Sequence, residues 1–318
     1  MKNLLSKDSK LFYVYKFFRD NPKAAVGFAL LFILLFLTLG APLFTSYDPM
    51  AMDKDAIRIA PNAKHILGTT QLGRDVWAQT LYGGRTSLMV GILAALIAVV
   101  LGAVIGITAG YFGGVVDGII TTVINVVMVV PNLPLILIMA SLLDGVSPLV
   151  IAIIIGLTSW AWGARVLRSQ TMSIRQREYI YAAETLGETR LRRLFSEVMP
   201  NMLSMMSAGF VGTTIYAIMA QATLEFLGFG DPFSVTWGNM LLNANRTAAL
   251  QVGAWWELLG PSLAIVILAS GLTLINFSID EISNPRLRAD RIMAGYYREK
   301  KKEAKLTKKA KKQVKEVV

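Results

Sequence analysis

The sequence predicts an all-α integral membrane protein with six transmembrane helices, and three observations predict it. Of its 318 residues, 54% are apolar and only 17% charged, against about 25% charged in soluble globular proteins. The mean hydropathy is +0.52. Six stretches, 24–47, 86–116, 118–143, 145–164, 198–224 and 258–279, contain no Asp, Glu, Lys, Arg or His. A helix crosses about 30 Å of hydrocarbon with roughly 20 apolar residues, and each stretch is long enough.

Composition also narrows the chemistry. Cysteine is absent, which excludes a disulfide framework, a thiolate metal site and a thiol nucleophile. The single histidine, His65, leaves no second imidazole for zinc binding or for hydrolase chemistry. The net charge of +11 could suggest nucleic acid, but its distribution fits membrane topology better. With both ends on one side, that side receives 26 of the 32 Lys and Arg residues. Positive residues are retained in the cytoplasm, so both termini are expected inside the cell.

Taken in order, residues 1–23 form a basic cytoplasmic segment. The first span, 24–44, is longer than the ~7–15 residue core of a cleavable signal and is expected to stay as an anchor. Residues 45–86 form an extracytoplasmic segment too polar for lipid, with His65, Arg74 and Asp75 among its polar groups. A five-helix core follows over 87–280. Gly102, Gly106 and Gly110 share one face of its first helix and let a neighbouring backbone approach. The Gly110–Asp117 stretch reads as a tight turn. Pro131 and Pro134 must break or kink the third span. Asn125, Asn132 and Gln221 lie within spans, as interhelical hydrogen-bonding groups or substrate contacts. Glu225 ends the fifth span, where it caps local backbone at the outer interface or belongs to a functional site. Trp255 and Trp256 are placed to anchor at the outer headgroup level. Residues 281–318 make a basic tail, rich in lysine between Arg298 and Lys315, attracted to anionic lipid.

The most informative segment is the loop 165–200. Tyr179–Leu186 is a good helix former carrying the small pair Ala182 and Ala183, and Gly187 is placed as the residue that stops it. Leu191, Leu194, Phe195 and Val198 then fall on one helical stripe, with Arg190, Arg192 and Arg193 off it. Pro200 opens the fifth span. A short helix, a glycine break and an amphipathic helix would project from the membrane as one compact element.

Here a resemblance enters. Ala182-Ala183-x-x-x-Gly187, with Pro200 thirteen residues after the glycine, resembles the EAA loop of ABC importer permeases. His65–Asp75, Tyr82–Leu88, Gly110–Gly114, Glu225–Gly230, Trp237–Met240 and Asn284–Arg288 together resemble the signature blocks of the dipeptide/oligopeptide/nickel permease family, second (C-type) subunit. Three positions depart from the family pattern: Tyr181 stands for the motif glutamate, Asn125 for an acidic residue, and Glu197 for a histidine.

The resemblance implies a type I ABC importer fold and half of a translocation pathway. Tyr181, Ala182, Ala183, Glu184, Gly187 and Pro200 would dock on an ATPase. His65, Arg74, Asp75 and Trp237 would face a binding protein or form an outer gate. Asn125, Asn132, Gln221 and Glu225 are candidates for the pathway. The chain has no G-x-x-x-x-G-K-[ST] phosphate loop, so no cofactor is expected in it, and ATP and Mg would be bound by partners. The implied partners are two ATP-binding subunits, a second homologous permease subunit, an extracytoplasmic substrate-binding protein and the lipid bilayer, with no nucleic acid and no catalytic or metal site. Peptides come first as substrate, with oligosaccharides or nickel as alternatives. An ion-driven secondary transporter is the competing class, but no inverted repeat supports it. A membrane-bound enzyme lacks the groups its chemistry would need.

Overall fold

The computed structural model describes residues 17–19, 21–143 and 146–283. The expectations for residues 1–16, for the Asn284–Arg288 block and for the basic tail lie outside the described residues. Nine helices carry the described fold: α1 Pro22–Leu39, α2 Val76–Phe112, α3 Gly114–Val129, α4 Asn132–Ser141, α5 Pro148–Arg175, α6 Glu178–Thr185, α7 Met199–Phe226, α8 Trp237–Arg246 and α9 Trp256–Ser283. The chain folds as the all-α integral membrane protein that its composition predicts. Five helical stretches are long and apolar enough to span a bilayer, and α3 with α4 makes a sixth that bends by 78°. The bend falls at Pro131, which lacks the N–H to continue the ladder and holds the residue before it extended.

The central helix α2 begins at Val76, ahead of the apolar run that starts at Thr86. Asp75 starts it: its Oδ1 accepts the Ala78 N–H at 2.7 Å, satisfying one of the free donors of the first turn. The added residues pass through protein rather than lipid, and Val76, Ala78, Gln79 and Thr80 are buried. Arg85 interrupts the apolar run because its guanidinium donates to the Thr38 and Leu39 carbonyls at the end of α1, at 2.7 and 2.5 Å.

The pairing of α2 with α5 is the most extensive in the fold, and the glycine face explains it. Gly102, Gly106 and Gly110 press against the backbone of α5 at Trp160–Ala164, Ala164 and Arg168. Arg168 also makes a two-bond ion pair with Asp117 at the start of α3, so the turn at Gly113 is fixed from both sides. A similar close approach joins α1 to α9, where a Cβ on Gly27 would stand 2.8 Å from the Gly271 carbonyl oxygen.

Three apolar clusters fill the bundle. One lies among α2, α4, α5 and α7 around Ile136, Ile151, Ile155 and Leu224. A second joins α1, α2, α7, α8 and α9 around Leu34, Leu88, Trp237 and Leu268. The third, around Tyr111, Leu167, Ile174, Ile180, Val198 and Met202, closes the end of the bundle that carries α6. At 37 residues, α2 is about 55 Å long, so that end is far from the one carrying Asp75 and α8.

Candidate functional site

The element with the clearest function-bearing shape is α6 and the turn that follows it. Gly187 ends α6 in the left-handed region, at φ +81°, where a Cβ is disfavoured. Its N–H donates to the Glu184 carbonyl at 3.0 Å, and the Glu188 N–H reaches back to the Ala183 carbonyl at 3.1 Å. These two bonds are the Schellman arrangement that a C′ glycine permits. Glu184 then pairs with Arg193 Nη1 at 2.8 Å, locking the helix to the next turn. That hydrogen bond holds the Glu184 carboxyl below the ordinary carboxylate range.

The second half of the element differs from the amphipathic helix expected. Arg190–Arg193 forms one helical turn, and Leu194–Val198 widens into a π-type turn that runs directly into α7. Of the stripe, Val198 is buried and Leu194 half-buried, whereas Leu191 and Phe195 are exposed. Arg193, expected on the polar face, is 6% exposed. The widened turn rotates the stripe, and the ion pair to Glu184 compensates the buried charge.

The small pair also divides. Ala183 is 9% exposed and faces its own chain beside Ile180, so its expected place on the docking face is corrected. Ala182 points outward with Tyr181 and with Leu186, which is 84% exposed. Gly187 and Pro200 are also exposed. The unpartnered surface of this element is therefore Tyr181, Ala182, Leu186, Leu191 and Phe195.

At the opposite end, three of the four residues expected to face a binding protein are interior. His65 is buried, with Nδ1 at 2.8 Å from Asp75 Oδ2 and its ring against Tyr47. Asp75 serves both that histidine and the N-terminus of α2. Trp237 is fully buried and donates from Nε1 to the Thr80 carbonyl at 2.9 Å. Only Arg74 retains partial exposure. His65, Asp75 and Trp237 brace the cap at this end because each has a buried partner to satisfy, which an open contact surface would not provide. The cap is tied to the bundle by Arg58, which binds Glu257 at 3.1 Å and the Thr247 carbonyl at 2.6 Å, and by Trp256, which donates to the Thr69 carbonyl at 3.0 Å. Trp256 is thus a structural donor in the cap.

Glu225 is 0% exposed, so it does not lie at an interface, although its carboxylate does take a local backbone bond from Gly238. It accepts from Gln221 Nε2 at 2.9 Å and from the Thr236 hydroxyl at 2.7 Å, joining the end of α7 to the start of α8. Asn125 is exposed and accepts from Arg165 at 2.6 Å, so Asn125 is an interhelical hydrogen-bonding group here, whereas Gln221 bonds to Glu225 within its own helix.

Asn132, one of the four pathway candidates, borders a large cavity. This cavity, about 640 Å³, lies between α2, α5 and α7 and is also lined by Ser159, Trp162, Tyr216 and Asn276. The sequence reading did not single out Ser159, Tyr216 or Asn276. The signal available was a neutral polar side chain inside an apolar run, the property that drew notice to Asn125 and Asn132. Among the described residues no three His, Asp, Glu or Cys side chains come together as a metal site.

Comparison with known proteins agrees with this architecture. Residues 102–289 match the model of the binding-protein-dependent transport system inner membrane component family. Residues 11–61 match the N-terminal transmembrane domain of oligopeptide transport permease C. The chain is 31% identical over 273 residues to the oligopeptide transport system permease protein OppC of Bacillus subtilis, covering 85% of this chain and 88% of that one. It is 32% identical over 272 residues to a protein of Brucella suis named as a peptide permease, covering 85% and 89%.

Proposed function

This chain belongs to the binding-protein-dependent transport system inner membrane component family, and from that premise we propose that it is the C-type permease subunit of an ATP-driven oligopeptide importer. The names of the relatives support the substrate class. In this reading the chain forms half of the pathway, and a second homologous permease subunit forms the other half. Two ATP-binding subunits hold ATP and Mg, and an extracytoplasmic binding protein delivers the peptide. The chain lies in the inner membrane with both termini, the α6 element and the basic tail in the cytoplasm. Residues 24–44 supply the first span, 45–86 carry the outer cap, and 87–280 carry the transport core.

The observation that carries the coupling role is the exposed apolar face of α6 on a rigid base. Among the described residues nothing covers Leu186, Tyr181 and Ala182, while Gly187, the Glu184–Arg193 pair and the buried Ile180 fix the helix to α7. Closure of the ATP-binding subunits would push on that face. The π-type turn passes directly into α7, so the push would reach a membrane helix without a flexible joint between.

The experiment is a substitution on the exposed alanine. In the assembled importer, Ala182→Arg should leave the subunits together in the membrane but separate ATP hydrolysis from peptide uptake. Normal uptake by that variant would refute the docking assignment. Ala183→Arg is the less specific test, since Ala183 faces its own chain and its replacement would disturb α6 itself.

A further inference from the structure

We propose that the cavity between α2, α5 and α7 is a station for the main chain of a peptide in transit, bound by neutral side chains that both donate and accept hydrogen bonds. The proposal rests on the peptide-importer reading above and adds where and how the peptide is held.

The first observation concerns unpaired atoms. Eight buried side-chain N or O atoms among the described residues have no hydrogen-bond partner, and three of them are Ser159 Oγ, Tyr216 Oη and Asn276 Oδ1. All three residues line this one cavity. The Tyr216 hydroxyl lies close enough to Asn132 and Ser159 to interact with both, but none of these approaches has full hydrogen-bond geometry. Tyr216, Asn132, Ser159 and Trp162 also border a second cavity of about 510 Å³ at the Pro131 break, so Tyr216 stands where the two voids adjoin. Buried polar groups are paired as a rule, and a cluster left unpaired beside open space points to a partner from outside the chain.

The second observation concerns glycine. Gly209 and Gly212 lie on the α7 face that carries Met205 and Tyr216, at helical spacing. A Cβ at Gly163, Gly209 or Gly212 would meet nothing within 4 Å. Gly106 and Gly110 are glycine because a backbone presses on them, but these three keep a space open. About 640 Å³ lies within the ~300–1,000 Å³ typical of ligand sites.

The chemistry selects the ligand class. Asparagine amides and hydroxyls each offer a donor and an acceptor, which suits the alternating N–H and C=O groups of an extended peptide. Among the described residues no carboxylate, imidazole or cationic side chain lines the cavity, so none of them is suited to hold a bare metal cation there. They also offer nothing to discriminate peptides by side-chain charge. Met205, Met206 and Trp162 complete the wall, and the flexible thioethers adapt to varied side chains.

The test uses the complete importer in proteoliposomes, with binding protein and ATP. Three radiolabelled tetrapeptides serve as probes: tetra-alanine, and the same peptide carrying one Lys or one Glu. Gly212→Leu, which fills the space, should abolish uptake of all three while the subunits still copurify. Tyr216→Phe and Ser159→Ala should each reduce uptake about five- to tenfold, the factor that corresponds to one ordinary hydrogen bond, and equally for all three peptides. Wild-type uptake by Gly212→Leu, or a reduction that follows side-chain charge, overturns the proposal. If Gly212→Leu does not assemble, the size-preserving Tyr216→Phe decides alone, and unchanged uptake by it is the overturning result. A wild-type importer that moves none of the three peptides would instead overturn the peptide reading itself.

Discussion

Gly106→Ala tests whether α2 and α5 are held by backbone contact. A Cβ built on Gly106 would stand 2.9 Å from both the C and Cα atoms of Ala164, and closer still to its carbonyl oxygen. Non-bonded carbons settle at about 3.5–4.0 Å, so the helices must part by roughly half an ångström or more. Every obstructing atom is backbone, so no rotamer change relieves the clash. Overpacking of this kind costs about 1–3 kcal/mol, and the gain of alanine over glycine in a helix returns about 1 kcal/mol. The net loss is then about 0–2 kcal/mol. Gly118→Ala in α3 is the matched control, because its Cβ would meet nothing within 4 Å and only the helix-forming gain remains. The difference between the two variants isolates the packing cost at about 1–3 kcal/mol. Equilibrium unfolding of the purified protein in mixed micelles, titrated with a denaturing detergent, measures it. Equal stability of Gly106→Ala and Gly118→Ala would refute the close-contact account.

The α6 element and the cap around Asp75 give further tests. Gly187→Ala places a Cβ in the left-handed region at a site with no steric neighbour, so it should loosen α6 by about 1–2 kcal/mol, seen as faster proteolysis between residues 178 and 193. Gly187→Asn, which tolerates that conformation better, should lose less. The Glu184 carboxyl is held low by Arg193, so the pair's contribution is present above the ordinary carboxylate value and disappears as pH falls through the lowered one. Glu184→Gln should therefore speed amide exchange in α6 at neutral pH and match the wild type in strong acid. A difference that persists in acid would count against the ion pair. In the cap, Asp75→Ala removes both the Ala78 bond and the His65 partner and should cost about 1–3 kcal/mol in the same micelle titration. Asp75→Asn can keep both bonds and should cost less, and the reverse order would show that charge, not hydrogen bonding, holds the cap.

What the sequence made legible, and what it did not, follows from the range of each interaction. Gly187 was readable because a helix stop is local: a good helix former, one glycine and no competing signal suffice. The glycine face of α2 was readable for a similar reason, since three glycines at four-residue steps need only helical periodicity to align. The break at Pro131 is written into the covalent chemistry of proline. The start of α2 was misplaced because charge-free runs measure contact with lipid. Arg85 ended the run, yet in the fold it sits in the middle of a helix and closes α1 from the side.

The remaining discrepancies turn on how side chains pack once the helices fold together, which no local pattern shows. Glu225 looks like an interface residue beside the Gly230–Pro232 turn, until Thr236 on α8 folds over it and Gln221 meets it from the preceding turn of its own helix. Ala182 and Ala183 are chemically identical, and only the burial of Ile180, three residues before Ala183 on the same face, decides which of them turns inward. That choice matters more for function than the motif does. The motif marks the two alanines alike, whereas the packing leaves Ala182 with Tyr181 and Leu186 as the surface that another subunit could grip, and commits Ala183 to holding that surface rigid. A coupling element needs both tasks, because a face that is gripped transmits force only as far as its base resists bending.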